Sequence, residues 1–120
     1  MKRVVVTGGT GKAGRAVVAD LGEHGYDVIS VDVAASRDPD DPTLVADLTD
    51  LGQAIESLCG ADAVVHLAAI SFVAHENTAE IYRVNLLATL NLLDAVSGLA
   101  PRVRKVLIAS SANVYGNATR

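Results

Sequence analysis

The chain has 120 residues, half of them apolar and a fifth charged, with a formal net charge of -4. Such a length supports one hydrophobic core, and such a composition excludes a disordered or low-complexity chain. The ten basic residues are scattered along an acidic chain, which argues against a nucleic-acid or anionic-membrane surface, since both need clustered Lys and Arg.

The N-terminus, MKRVVVTGG, has too few consecutive aliphatic residues for a signal segment or a membrane span, so a cytoplasmic protein is expected. Val4 to Val6 reads as a short strand buried on both faces. A helix follows from Lys12 to His24, with Ala13, Val17 and Leu21 as its apolar stripe and Gly25 as its stop. Val28 to Val31 is a second buried strand, closed by Asp32. The polar stretch from Arg37 to Pro42 is turn-prone, and Thr43 to Ala46 after it is a weaker strand candidate.

Asp50-x-x-Gln53 has the form of a capping pair, with Leu51, Ile55 and Leu58 marking one face of a helix that runs until Gly60. Cys59 is the only cysteine, so no intrachain disulfide is available, and a small buried side chain is expected there. Ala63 to Ile70 and Val103 to Ala109 read as two further strands. The helix between them, from about Thr78 to Ser97, carries Ile81, Val84, Ala88, Leu92 and Ala95 as its stripe, and Gly98 and Pro101 end it. This order is that of a Rossmann-type, doubly wound parallel α/β sheet of about five strands, with residues 1–120 in one domain.

Between the first strand and the first helix lies Thr7-Gly8-Gly9-Thr10-Gly11-Lys12-Ala13-Gly14. So many glycines weaken any regular element, unless something bulky and negative must approach the backbone there. Both Gly9-x-Gly11-x-x-Gly14 and Gly8-x-x-Gly11-x-x-Gly14 are present, and the strand-to-helix context is the one a dinucleotide fingerprint requires. The first glycine allows the sharp turn, Gly11 admits a pyrophosphate to the main chain, and Gly14 lets the helix press on the sheet. The helix N-terminus then offers its free N–H groups.

Asp32 follows Gly14 by 18 residues, close to the separation of about 20 expected of a carboxylate that binds the adenosine ribose. A carboxylate there repels a 2′-phosphate, which favours NAD over NADP; Arg37 nearby keeps NADP open. A phosphate-loop NTPase fails on spacing, because Val6 stands where its first glycine belongs and Ala13 replaces its Ser or Thr.

Taken together, the glycine stretch, Asp47-Leu48, His66-Leu67-Ala68-Ala69, the run Asn85 to Leu93 and Ser110-Ser111-Ala112-Asn113-Val114-Tyr115-Gly116 resemble the extended short-chain dehydrogenase/reductases, or NAD-dependent epimerase/dehydratase family. The pieces occur in family order along the whole chain. The resemblance implies an NAD site with Gly8, Gly11, Lys12, Ala13 and Gly14 at the pyrophosphate and Asp32 at the ribose. It puts Asp47 and Leu48 around the adenine and Leu67, Ala68 and Ala69 along the cofactor. Read without it, Asp47 is an ordinary carboxylate ahead of a helix, and Ala68 and Ala69 are strand packing.

Asn85 falls on an apolar stripe, where a buried amide must find partners; the resemblance makes it a support of the sheet and the site rather than a catalyst. His66 and His75 have no ligand spacing with Cys59, so no metal is expected. Ser111 matches the family's active-site Ser or Thr, which hydrogen-bonds the substrate hydroxyl; on its own it is a serine ending a strand. No Gly-x-Ser-x-Gly elbow surrounds it, which argues against a hydrolase nucleophile.

The family's hydride transfer uses a Tyr-x-x-x-Lys pair. Here Tyr26, Tyr82 and Tyr115 are followed at that spacing by Ser30, Leu86 and Thr119. The resemblance therefore implies an incomplete, N-terminal cofactor-binding part of a longer enzyme, without its substrate domain and with the last strand left as an uncovered edge. It points to a small-molecule substrate, a nucleotide sugar, with Ser71 and Phe72 near the sugar. Ala112 and Asn113 stand where 4,6-dehydratases carry Asp-Glu, which favours an epimerase or 4-keto-sugar reductase over a nucleotide-sugar dehydratase. A non-catalytic dinucleotide-binding module or sensor is the alternative, and a homodimer is compatible with either.

Overall fold

The computed structural model describes residues 2–71 and 77–116. Phe72 and His75, both weighed above, lie outside them. The elements are β1 (Arg3–Thr7), α1 (Lys12–Glu23), β2 (Asp27–Asp32), β3 (Thr43–Val45), α2 (Leu51–Ser57), β4 (Ala63–His66), α3 (Thr78–Gly98), β5 (Lys105–Ile108) and a short 3-10 helix (Ala112–Tyr115). All four strand pairings are parallel, in the order β3-β2-β1-β4-β5. The expected Rossmann-type α/β sheet is present, with the weak candidate at Thr43 as a true strand on one edge.

The strand order reverses at β1, whose neighbours are β2 on one side and β4 on the other. Right-handed crossovers then put α1 on one face and α2 and α3 on the other. Accordingly α1 packs on β1 and β2, while α2 and α3 pack together. Val5, Val31 and Val64 meet Ala54, Leu58, Ala88, Leu92 and Ala95 in the core between the sheet and these two helices.

Three helical faces differ from the expected stripes. Ala13 is exposed and Gly14 buried, and the half-buried side of α1 runs through Val17, Val18 and Leu21. On α2 the buried residues are Ala54 and Ser57, with Leu58 just after them, while Leu51 is 43 % exposed. On α3 the stripe holds at Ile81, Ala88, Leu92 and Ala95, and it includes a polar member, Asn91, whose amide donates to the Leu48 carbonyl at 2.9 Å. Cys59 is exposed rather than buried, because the chain turns out of α2 at Leu58.

Loop chemistry explains two boundaries. Between β2 and β3 the Asp38 carboxylate accepts from Asp40 N–H at 3.0 Å, and its carbonyl accepts from Asp41 N–H at 3.1 Å. These local turns displace any helix there. The apolar run Ala63–Ile70 leaves the sheet after His66, since side chains of β1 and α3 take up the backbone groups that a ladder would otherwise use.

Candidate functional site

Open α/β sheets bind ligands where the strand order reverses, at the carboxyl ends of the strands. A cavity of about 320 Å³ lies there. Gly8, Thr10 and Gly11 after β1, Asp32 and Val33 from β2, Ala46 to Thr49 after β3, Leu67 to Ile70 after β4, and Val84 and Ala88 of α3 form its wall.

Gly8, not Gly9, makes the sharp turn, with φ at +72°. A Cβ on Gly8 would also come within 2.8 Å of Leu67 and Ala68 backbone, so the turn rests directly on the chain leaving β4. A Cβ on Gly14 would collide with the Gly8 carbonyl oxygen. Gly14 therefore presses α1 against the glycine turn, not against the sheet as expected. Gly11 is exposed, and a Cβ there would meet only the Gly8 oxygen, at 3.2 Å.

No side chain caps α1 at Gly11, and the N–H groups of Lys12 and Ala13 meet no acceptor among the described residues. Positive helix-end charge and open donors thus sit beside the glycine turn. Lys12, Ala13 and Gly14 stand at this helix end without lining the cavity.

Asp32 is tied to the same turn. Its Oδ2 accepts from Thr10 Oγ1 at 2.7 Å and from Thr10 N–H at 3.1 Å, and its Oδ1 accepts from Val33 N–H at 2.8 Å. A carboxylate has about four acceptor positions, so one remains for a ligand hydroxyl. Thr10 was not singled out in the sequence, although its place inside the glycine motif is the available signal.

Past β3, Asp47 Oδ1 accepts from Thr49 Oγ1 at 2.7 Å and Thr49 N–H at 2.9 Å. Those hydrogen bonds, the hydroxyl first, hold the Asp47 carboxyl below its ordinary range, and its Oδ2 has no hydrogen bond among the described residues. Asp47 N–H donates to Gln53 Oε1 at 2.8 Å. The capping pair is thus half as expected: Asp50 accepts from Gln53 N–H at 2.9 Å, while the Gln53 side chain reaches Asp47 instead of Asp50 N–H. Leu48 is buried, and its N–H has no acceptor among the described residues.

Asn85 lies behind the cavity wall, with Oδ1 accepting from Ile70 N–H at 2.7 Å and Nδ2 donating to Ile70 O at 3.0 Å. Ser111 is exposed beyond β5, outside the cavity. The structure therefore brings Gly8, Gly11, Asp32, Asp47, Leu48, Leu67, Ala68 and Ala69 together and leaves Ser111 apart. Thr49, Ile70, Val84 and Ala88 also line the cavity, and only the fold reveals them. No group of three His, Cys, Asp or Glu side chains among the described residues is placed to hold a metal, and no described helix is long and apolar enough to cross a membrane.

Residues 4–120 match the model of the NAD dependent epimerase/dehydratase family. The chain belongs to that family. A UDP-glucose 4-epimerase of Corynebacterium glutamicum is 35% identical to it over 95% of this chain and 36% of its own length. A 3-beta-hydroxysteroid dehydrogenase of Mycolicibacterium neoaurum is 34% identical over 95% of this chain and 33% of its own. A UDP-glucose-4-epimerase from Stenotrophomonas maltophila, solved with bound NAD and formylated UDP-arabinopyranose, superimposes with a TM-score of 0.84 at 27% identity, covering all of this chain and 40% of that one. The family member described here thus spans about a third of the length of its curated relatives.

The glycine turn fits a diphosphate on its own geometry. Side chains are sterically excluded at Gly8 and Gly14, the amides at the start of α1 are open, and a carboxylate with spare acceptor capacity stands at the end of the next strand.

Proposed function

We propose that this chain binds NAD in the cavity at the carboxyl ends of β1, β2 and β4. The diphosphate takes the amides of Lys12 and Ala13 beside Gly11, whose own N–H is held by the Gly8 carbonyl at 3.1 Å, and Asp32 accepts from the adenosine ribose. Asp47 Oδ2 and Leu48 N–H supply one acceptor and one donor to the adenine, while Leu67, Ala68 and Ala69 line the rest of the cofactor. When bound, the nicotinamide supplies a hydride acceptor and donor. This chain's own residues bind it, orient it and shield it on the side of α3. The observation that carries the reading is the Cβ-free turn at Gly8 and Gly14, joined to Asp32 through Thr10.

We further propose that residues 1–120 act as the cofactor-binding part of an epimerase or reductase whose substrate is a nucleotide sugar, with Ser111 on the substrate hydroxyl. The C. glutamicum and S. maltophila relatives support that class, and so does Ala112 in place of a dehydratase acid. Tyr-x-x-x-Lys is absent from these residues, so no hydride transfer to a sugar nucleotide is expected of this polypeptide. A homodimer is supported by Tyr82, Leu86, Leu90 and Leu93, which are 40 to 65 % exposed along one side of α3.

Calorimetric titration tests the cofactor assignment. NADH is expected to bind more tightly than NADPH, because Asp32 repels a 2′-phosphate; the opposite order would remove Asp32 from the ribose.

A further inference from the structure

His66, the last residue of β4, is only 3 % exposed. Its ring bridges two elements, with Nδ1 2.7 Å from Thr7 Oγ1 on β1 and Nε2 3.0 Å from Thr89 Oγ1 on α3. Proton positions follow from the partners. Thr89 donates its only hydroxyl proton to the Asn85 carbonyl at 2.8 Å, so toward the ring it can only accept, and Nε2 must carry a proton. In the neutral ring Nδ1 is then bare and accepts the Thr7 proton.

Thr7 Oγ1 keeps its lone pairs for Leu67 N–H at 3.2 Å and Ala68 N–H at 3.3 Å. Leu67 N–H is shared with the Thr7 carbonyl, which leaves Ala68 N–H as the amide that depends on the hydroxyl alone. At the far end, Asn85 grips both backbone groups of Ile70. One buried ring thus links the two ends of the stretch Leu67–Ile70, which walls the cavity and on which Gly8 rests.

We infer that His66 is a positioning residue for the dinucleotide: held as the Nε2–H tautomer between Thr7 and Thr89, it sets the Leu67–Ile70 wall against the Gly8 turn. The inference rests on the NAD reading above and adds to it the group that fixes the width of the site. A protonated ring would need an acceptor at Nδ1, and Thr7 can provide one only by turning its own proton away and giving up a lone pair that now serves Leu67 N–H or Ala68 N–H. Burial alone already pushes the ring's affinity for a proton down. The charged groups on the elements packed around it are Arg3 at the far end of β1, Asp62 before β4, Lys105 opposite Ala63, and Glu80, Arg83 and Asp94 of α3.

The test compares the full chain with Thr89→Val, which keeps shape and removes the acceptor, and with His66→Gln, which keeps a donor and cannot titrate. Long-range 15N correlation of the ring is expected to show the Nε2–H form. Thr89→Val is expected to speed amide exchange at Ala68 and Ile70 without ligand and to weaken NADH roughly five- to tenfold. NADH affinity of the unaltered chain is expected to fall as pH drops from about 8 to about 5, and that of His66→Gln to stay level. An Nδ1–H ring, unchanged exchange in Thr89→Val, or a lower melting temperature with unchanged affinity and pH profile would each overturn the positioning role. Failure of the unaltered chain to bind NADH would overturn the NAD reading and the positioning role together, whereas normal binding by both the unaltered chain and Thr89→Val would overturn the positioning role alone.

Discussion

Asp32 shows how a single residue combines scaffold and ligand duties. Three of its hydrogen bonds go to Thr10 and Val33, so substitution disturbs the glycine turn as well as the ribose contact. Thr10→Val separates the two effects: it removes one charge-assisted bond and leaves the carboxylate. It is expected to cost about 1–2 kcal/mol in chemical denaturation while NADH stays preferred over NADPH. Gly14→Ala is expected to be worse, because its Cβ meets the Gly8 carbonyl oxygen. Displacing that backbone costs about 1–3 kcal/mol as overpacking, and denaturant melts should show it together with loss of NADH binding. Sequence spacing was enough to find Asp32 and the glycines. Thr10 escaped notice because its role is a contact across 22 residues, which no local pattern encodes, and Asn91 escaped because it sits on an otherwise apolar stripe.

At the scale of elements, the α2 entry and the α3 stripe are joined through one loop. Asp50 caps α2, Gln53 reaches back to Asp47, and Asn91 of α3 holds the Leu48 carbonyl. Asn91→Ala leaves that carbonyl without a donor, so a loss of about 1–3 kcal/mol is expected in denaturant melts. Asp50→Ala is expected to cost about 1 kcal/mol through the lost cap. Strands and helices were legible from apolar runs and stop signals, including the end of α1, where Tyr26 N–H donates to Leu21 O and Gly25 N–H to Gly22 O. The end of β4 was not. Its apolar run continues to Ile70, yet Thr7 and Asn85 pull the last residues out of the sheet, and that competition is tertiary.

For the whole molecule, alternation of strand and helix was enough to give the topology, because right-handed crossovers leave few arrangements. The same topology sets the pH response. The folded His66 ring binds a proton less readily than its ordinary value of 6.5, so between that value and its lowered one the unfolded chain takes up more protons. Stability is therefore expected to fall as pH drops through 6.5, and His66→Gln should remove that slope in denaturant melts. The lowered Asp47 carboxyl acts in a more acidic window: its contribution is present above its ordinary 3.8 and is lost as pH falls from there through its lowered folded value.

Backbone NMR of the 15N-labelled chain titrated with NADH tests the NAD site most directly. The largest shifts are expected at Gly8, Gly11, Lys12, Ala13, Asp32 and Ala68. Shifts confined to other surfaces, or none at saturating NADH, would contradict a dinucleotide at the first strand-to-helix turn.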